Sequence, residues 1–203
     1  MDCMEFFRKA PGQPAKLAVF SGAFHPPTRA HLALAKAALR FADETAFVLP
    51  RRFPHKAYES VSLEQRVTLL RRAIEGEPRF SVAVTSGGLF IEIARECRQA
   101  YGPDTELWFL CGRDAAERIV NWDYGEPGAF AQMLDEFGLL VADREGPYVA
   151  PESMRGRIRR LPVDADYSAV SATRVREAIA AGKPWEHLVP ESIHDEVRRL
   201  YHG

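Results

Sequence analysis

The sequence predicts a Rossmann-like α/β fold: a doubly wound parallel sheet of about five strands with a C-terminal helical segment. Two observations predict it. Short runs rich in β-formers, KLAVF (16–20), TAFVLP (45–50), FSVAV (80–84), ELWFLC (106–111) and GLLVAD (138–143), are almost continuously apolar, as strands buried on both faces of a parallel sheet are. Between them lie stretches with helical periodicity, and strand–helix–strand repetition implies right-handed crossovers onto both faces of one sheet.

Each helix has its own signal. Residues 28–42 place Leu32, Ala35, Leu39 and Ala42 on one face, and residues 62–76 place Val67, Leu70 and Ile74 likewise, behind Ser62 as N-cap. A third helix over 88–101 ends in YGPD, and a fourth spans 128–137. Ser171 or Thr173 caps a helix over 171–182 that Gly182 and Pro184 stop, and Pro190 opens the last one, 190–201. Trp108 falls inside a strand and reads as core; Trp185 reads as packing. The 203 residues fit a single domain, 16–203, behind a short pre-strand extension, 1–15, with no assigned function.

Bulk chemistry narrows the class. Apolar residues make up 46% and charged residues 27%, ordinary for a soluble globular chain. A formal net charge of -1 gives no global field for nucleic acid or acidic membranes, and no basic face interleaved with aromatics supports nucleic-acid binding. The basic cluster RGRIRR (155–160) reads as a solvated face. Cys3, Cys97 and Cys111 lack C-x-x-C spacing, which fits a reducing cytoplasm rather than a disulfide framework or zinc site. No run of about 18 apolar residues predicts a membrane span, and the N-terminus lacks the apolar core of a secretory signal. The oligomeric state is left open, a homo-oligomer included.

The chemistry concentrates in FSGAFHPPTRAH (20–31). Ser21, Gly22 and Ala23 are small enough to let a ligand approach the backbone, and the helix that begins near Thr28 points its unpaired N–H groups at the mouth of the sheet. That is an anion site, commonly filled by phosphate. His31, three residues in, is a donor within reach of such a phosphate; spacing alone leaves open that Thr28 only caps the helix and His31 is a surface residue. His25, in the same loop, is expected to be exposed.

These residues resemble the nucleotidyltransferase superfamily whose histidine motif is shared with class I aminoacyl-tRNA synthetases. Its pattern, G-x-F-x-P-[HT]-x-x-H with some spacing variation, is matched by Gly22, Phe24, Pro26 and His31. Thr28 stands where many bacterial members have a first histidine and where eukaryotic-type nicotinamide mononucleotide adenylyltransferases have threonine; Ala30 replaces a usual glycine. The superfamily's I-S-x-T-x-x-R element appears as Val170, Ser171, Thr173 and Arg176. Further stretches are similar to bacterial nicotinate-mononucleotide adenylyltransferases: FPHK (53–56) followed by a helix carrying Arg66, Gly112 and Asp114 with Trp122 after them, and VADREG with Arg144. The chain is too short for an anticodon domain and lacks a K-M-S-K-S-like loop, which sets the synthetases aside.

The resemblance implies adenylyl transfer from ATP to a phosphorylated acceptor in NAD synthesis. It assigns His31, Thr28 and Arg176 to catalysis, and Ser21, Gly22, Ala23, Phe24, His31, Gly112, Asp114, Ser171, Thr173 and Arg176 to ATP. Lys56, His55, Trp122, Arg144, Gly87 and Gly88 are its candidates for the acceptor. Mg²⁺ would be bound mainly through the ATP phosphates, with no protein ligand named. Residue chemistry offers other roles: Asp114 as cap of a helix beginning near Ala115, Trp122 as packing beneath the sheet, Lys56 as a solvated loop lysine and His55 as a surface residue. One departure bears on the acceptor. The family's P-S-Y-T-x-x-T-L segment is replaced by SGGLFIEIAREC (86–97), with Gly87 and Gly88 in place of its threonines. A nicotinamide ring or another phosphorylated acceptor, such as phosphopantetheine or a sugar or polyol phosphate, fits that change as well, and so does a catalytically weak nucleotide-binding relative.

Overall fold

In the computed structural model, the residues described are 4–52, 61–122, 124–126, 128–143, 148–163, 167 and 169–201. They form a seven-stranded sheet. Its strands are β1 (Glu5–Arg8), β2 (Lys16–Ser21), β3 (Glu44–Pro50), β4 (Phe80–Thr85), β5 (Glu106–Gly112), β6 (Gly138–Ala142) and β7 (Ile158–Leu161). Their spatial order is β1-β4-β3-β2-β5-β6-β7, with β1 antiparallel to β4 and every other pair parallel. The helices are α1 (Arg29–Ala38), α2 (Leu63–Ala73), α3 (Phe90–Tyr101), α4 (Arg113–Val120), α5 (Ala129–Glu136), α6 (Ala172–Ala180) and α7 (His194–Tyr201).

The expectation of about five strands is corrected at both edges. The five apolar runs became β2 to β6, and β3, β4 and β6 are buried along their whole length. The two extra strands lack a continuous apolar run because each is a short edge strand. β1, EFFR, is built from the expected N-terminal extension: Phe6 packs edge-on to Tyr101 (5.5 Å), and Arg8 donates to the Ile74 and Glu77 carbonyls (2.7 and 2.8 Å). β7 is built from the basic cluster expected as a solvated face. Ile158 and Leu161 are buried, the Arg159 guanidinium lies 4.7 Å from the Trp108 ring centre, and Arg160 donates to Asp143 (2.5 Å).

Two apolar cores flank the sheet. One gathers side chains of α1, α2, α6 and α7 against residues such as Phe47 and Leu140. The other gathers α3, α4 and α5 against residues such as Phe109 and Val141. The sheet is therefore wound on both faces. Strand order reverses beside β2: the chain runs outward through β3 and β4, then returns to β5 on the other side. The carboxyl ends of β2 and β5 bound the crevice where open α/β sheets bind ligands. Cys97 and Cys111 are buried, and burial pushes both thiols up, Cys111 to about 12, so neither is a nucleophile. No helix among the described residues is long and apolar enough to cross a membrane.

Candidate active site

The loop after β2 is shaped by its aromatic residues. Gly22 N–H donates to the Val48 carbonyl (3.0 Å), extending the β2–β3 ladder by one residue. Phe24 adopts a left-handed backbone, φ 46°, and its ring is buried against Phe20 and Phe47 at 5.4 and 5.3 Å. A Cβ at position 22 would stand 3.2 Å from the Phe24 ring, so glycine there lets Phe24 fold back over the turn.

At the tip of α1, Thr28 and His31 form a reciprocal capping box. His31 N–H donates to Thr28 Oγ1 (3.4 Å), and Thr28 N–H donates to His31 Nδ1 (3.0 Å). A ring nitrogen that accepts a backbone N–H carries no hydrogen of its own, so in the neutral ring Nε2 carries it. Phe20 and Phe24 flank the imidazole at 5.8 and 5.2 Å between ring centres and fix its plane. Thr28 is fully buried. The capping role weighed from sequence and a fixed Nε2–H donor thus come from the same pair of bonds.

Two guanidiniums hold the loop between these elements by its carbonyls. Arg66, 5% exposed, reaches from α2 and donates Nη1 to the Ala23 carbonyl (3.0 Å). Arg176 reaches from α6, donating Nη1 to the His25 carbonyl (2.6 Å) and Nη2 to Thr173 Oγ1 (3.2 Å). Ser171 caps α6, its hydroxyl accepting the Arg174 N–H (3.2 Å). The structure therefore brings the β2–α1 loop and the start of α6 together on one side of the molecule.

His25 is corrected: it is buried, 4% exposed, rather than exposed. Its ring stands edge-on to Tyr201 of α7, centres 5.1 Å apart. Burial, and then the charges of Arg176 and Arg66, hold its pKa below the ordinary imidazole value.

Across the crevice, Gly112 ends β5 and is the N-cap of α4. Asp114 does not cap a helix beginning near Ala115; the helix begins at Arg113, and Asp114 lies exposed in its first turn. Trp122 is 59% exposed and does not pack beneath the sheet. It borders a cavity of about 490 Å³ that Tyr124, Phe130 and Met154 also line. Lys56, His55 and Arg144, together with Cys3, lie outside the described residues.

The segment that replaces the family's threonines is held by two glutamates of α3. Glu96, 7% exposed, accepts the N–H groups of Ser86 and Gly87 (3.0 and 3.1 Å). Glu92 accepts those of Gly88 and Leu89, each at 3.0 Å. A Cβ at position 87 would stand 2.6 Å from Glu92 Cβ, so only glycine fits beside the first turn of α3 there. Four successive main-chain donors at the carboxyl end of β4 are thereby paired with carboxylates.

Sequence reasoning missed His25 as a buried residue, and Tyr201, Glu92 and Glu96 altogether. Glu92 carried no capping-box signature, because the N-cap of α3 is Leu89, whose side chain has no acceptor. Tyr201 was not findable, because its contact joins opposite ends of the chain.

Comparison with known proteins shows the family. The family described as cytidylyltransferase-like matches residues 19–178. A protein of Treponema pallidum subsp. pallidum named "Probable nicotinate-nucleotide adenylyltransferase" is 32% identical, covering 92% of this chain and 98% of its own. One of the same name from Geobacillus thermodenitrificans is 30% identical, covering 92% and 82%. The solved Plasmodium falciparum nicotinic acid mononucleotide adenylyltransferase, complexed with NaAD, shares the fold with a TM-score of 0.68 at 16% identity, covering 91% of this chain and 95% of that one. The chain belongs to the cytidylyltransferase-like family of nucleotidyltransferases.

Proposed function

We infer that this protein is an adenylyltransferase of NAD biosynthesis, moving AMP from ATP to the 5′-phosphate of nicotinate or nicotinamide mononucleotide with release of pyrophosphate. The observation that carries the reading is the junction of two distant motifs, Arg176 of α6 on the carbonyl of His25 in the β2–α1 loop, at the switch point of the sheet. The names of its relatives support the pyridine acceptor.

An oxygen of the acceptor phosphate attacks the α-phosphorus of ATP, the bond from that phosphorus to the β-phosphate bridge breaks, and pyrophosphate leaves with the bonding pair. No protein nucleophile is needed. Catalysis rests on positioning and on stabilising negative charge. His31 donates Nε2–H to phosphate oxygens from a ring locked by Thr28. Arg176 exchanges its carbonyl for the β- and γ-phosphates, and Ser171 with the free N–H groups of α6 cradles the same end. Ser21 to Phe24 let the triphosphate lie against the backbone, while Gly112 and Asp114 face the nucleoside. Mg²⁺ dehydrates reluctantly, so it would be held mainly by phosphate oxygens and water. When bound, that ion supplies charge neutralisation on the phosphates. Trp122 stacks on the acceptor ring. We place the reaction in the cytoplasm on the sparse cysteines and their lack of C-x-x-C spacing.

A neutral carboxamide ring is the second reading for the acceptor. Glu92 and Glu96 already occupy the main-chain donors of residues 86–89, and two fixed carboxylates there repel an anionic ring substituent. The experiment that decides is pyrophosphate release from Mg-ATP with a panel of nicotinate mononucleotide, nicotinamide mononucleotide, phosphopantetheine and a sugar phosphate. Release with a pyridine mononucleotide is expected. Release only with another acceptor would move the reading to that substrate, and none with any would leave a nucleotide-binding relative.

A further inference from the structure

Tyr201 ends α7 and lies against the loop that the triphosphate reading places at the site. Its ring is edge-on to that of His25, 5.1 Å between centres at 88°. Its hydroxyl oxygen is enclosed and makes no hydrogen bond among the described residues. Burial raises its pKa, while the charges of Arg176 and Arg66 act in the opposite sense, so both guanidiniums lie near enough to act on it.

An enclosed hydroxyl without a partner is destabilising and calls for a reason. A phenylalanine would keep the edge contact with His25 and drop the unpaired group. The chemistry of the neighbourhood supplies the reason. A guanidinium only donates and a phosphate oxygen accepts, whereas a hydroxyl does both. Beside two guanidiniums, a hydroxyl links them to an anion. We propose that Tyr201 is a further triphosphate-binding residue, its O–H donating to a terminal phosphate oxygen while its oxygen accepts an N–H from Arg176 or Arg66. The bond from Arg176 to the His25 carbonyl is the contact the phosphate replaces on reaching it. The inference rests on the reading that Arg176 grips the triphosphate.

Tyr201→Phe and Arg176→Lys test it together, with pyrophosphate and ATP binding followed by calorimetry, the Michaelis constant of the acceptor by steady-state kinetics, and thermal unfolding. For Tyr201→Phe we expect a Tm equal to or above wild type, pyrophosphate and ATP bound at least fivefold more weakly, and an acceptor KM within twofold of wild type. A stabilised variant that binds both phosphates normally would overturn the inference, as would a destabilised one in which ATP and acceptor weaken alike. If Arg176→Lys weakens ATP and Tyr201→Phe does not, the Tyr201 inference fails alone. If neither weakens ATP, the assignment of Arg176 fails with it.

Discussion

Arg176 donates a hydrogen bond of 2.6 Å to the carbonyl of His25 across 151 residues of sequence. That bond joins the β2–α1 loop to α6, and Thr173, on the same helix as Arg176, steadies the other nitrogen of the guanidinium. Arg66 makes a matching bond to Ala23, so the β2–α1 loop is held by two of its carbonyls.

His31→Ala is expected to lower turnover by about 10²–10³, the scale on which loss of one preorganised donor raises a barrier by about 3–4 kcal/mol. Steady-state kinetics with saturating ATP and acceptor checks it. Near-normal turnover would remove His31 from the mechanism.

The buried His25 makes stability depend on pH in a defined direction. Its folded pKa lies below the unfolded value of 6.5, so between the two the unfolded chain binds more protons and stability rises with pH. The contribution is complete above pH 6.5 and is eroded as pH falls below it. Denaturant unfolding of wild type and His25→Asn between pH 5 and 8 reads this out. The variant is expected to lose part of the slope below pH 6.5 and to match wild type in slope above it.

Gly87→Ala is expected to destabilise the protein by about 1–3 kcal/mol, the usual range for an added methyl in a packed site. The new Cβ meets the backbone end of the Glu92 side chain, which cannot swing aside as its carboxylate can. Urea unfolding measures the loss, and Glu92→Ala in the same background is expected to recover none of it, because alanine keeps the Cβ that the new methyl meets.

On the proposed reading, Trp122 is expected to report acceptor binding by its fluorescence. It is 59% exposed, whereas Trp108 and Trp185 are each 3% exposed. A pyridine mononucleotide is expected to quench wild-type emission, and Trp122→Leu to abolish that saturable quench. A quench that survives the substitution would place the ring elsewhere.

The sequence made the centre of the fold legible and left its edges obscure. β2 to β6 are buried on both faces, so their apolar runs could be read directly. EFFR and IRRL bury only part of their surface, and what makes them strands is a neighbour: Val84 opposite Glu5, Leu139 opposite Ile158. In the site, Thr28 and His31 were readable because their interaction is local, three residues apart on one helix tip. The burial of His25 depends on Tyr201, and the satisfied donors of residues 86–89 depend on carboxylates a turn or two into α3. Neither follows from composition or period; both follow from packing.

Titration of ATP into wild type and Arg176→Ala by calorimetry, with the acceptor titrated in parallel, tests the junction of the two motifs most directly. A charge-assisted bond contributes about 1.5–3 kcal/mol, so ATP is expected to bind the variant about 10- to 100-fold more weakly, with acceptor affinity unchanged. ATP bound equally well by both proteins would contradict the account.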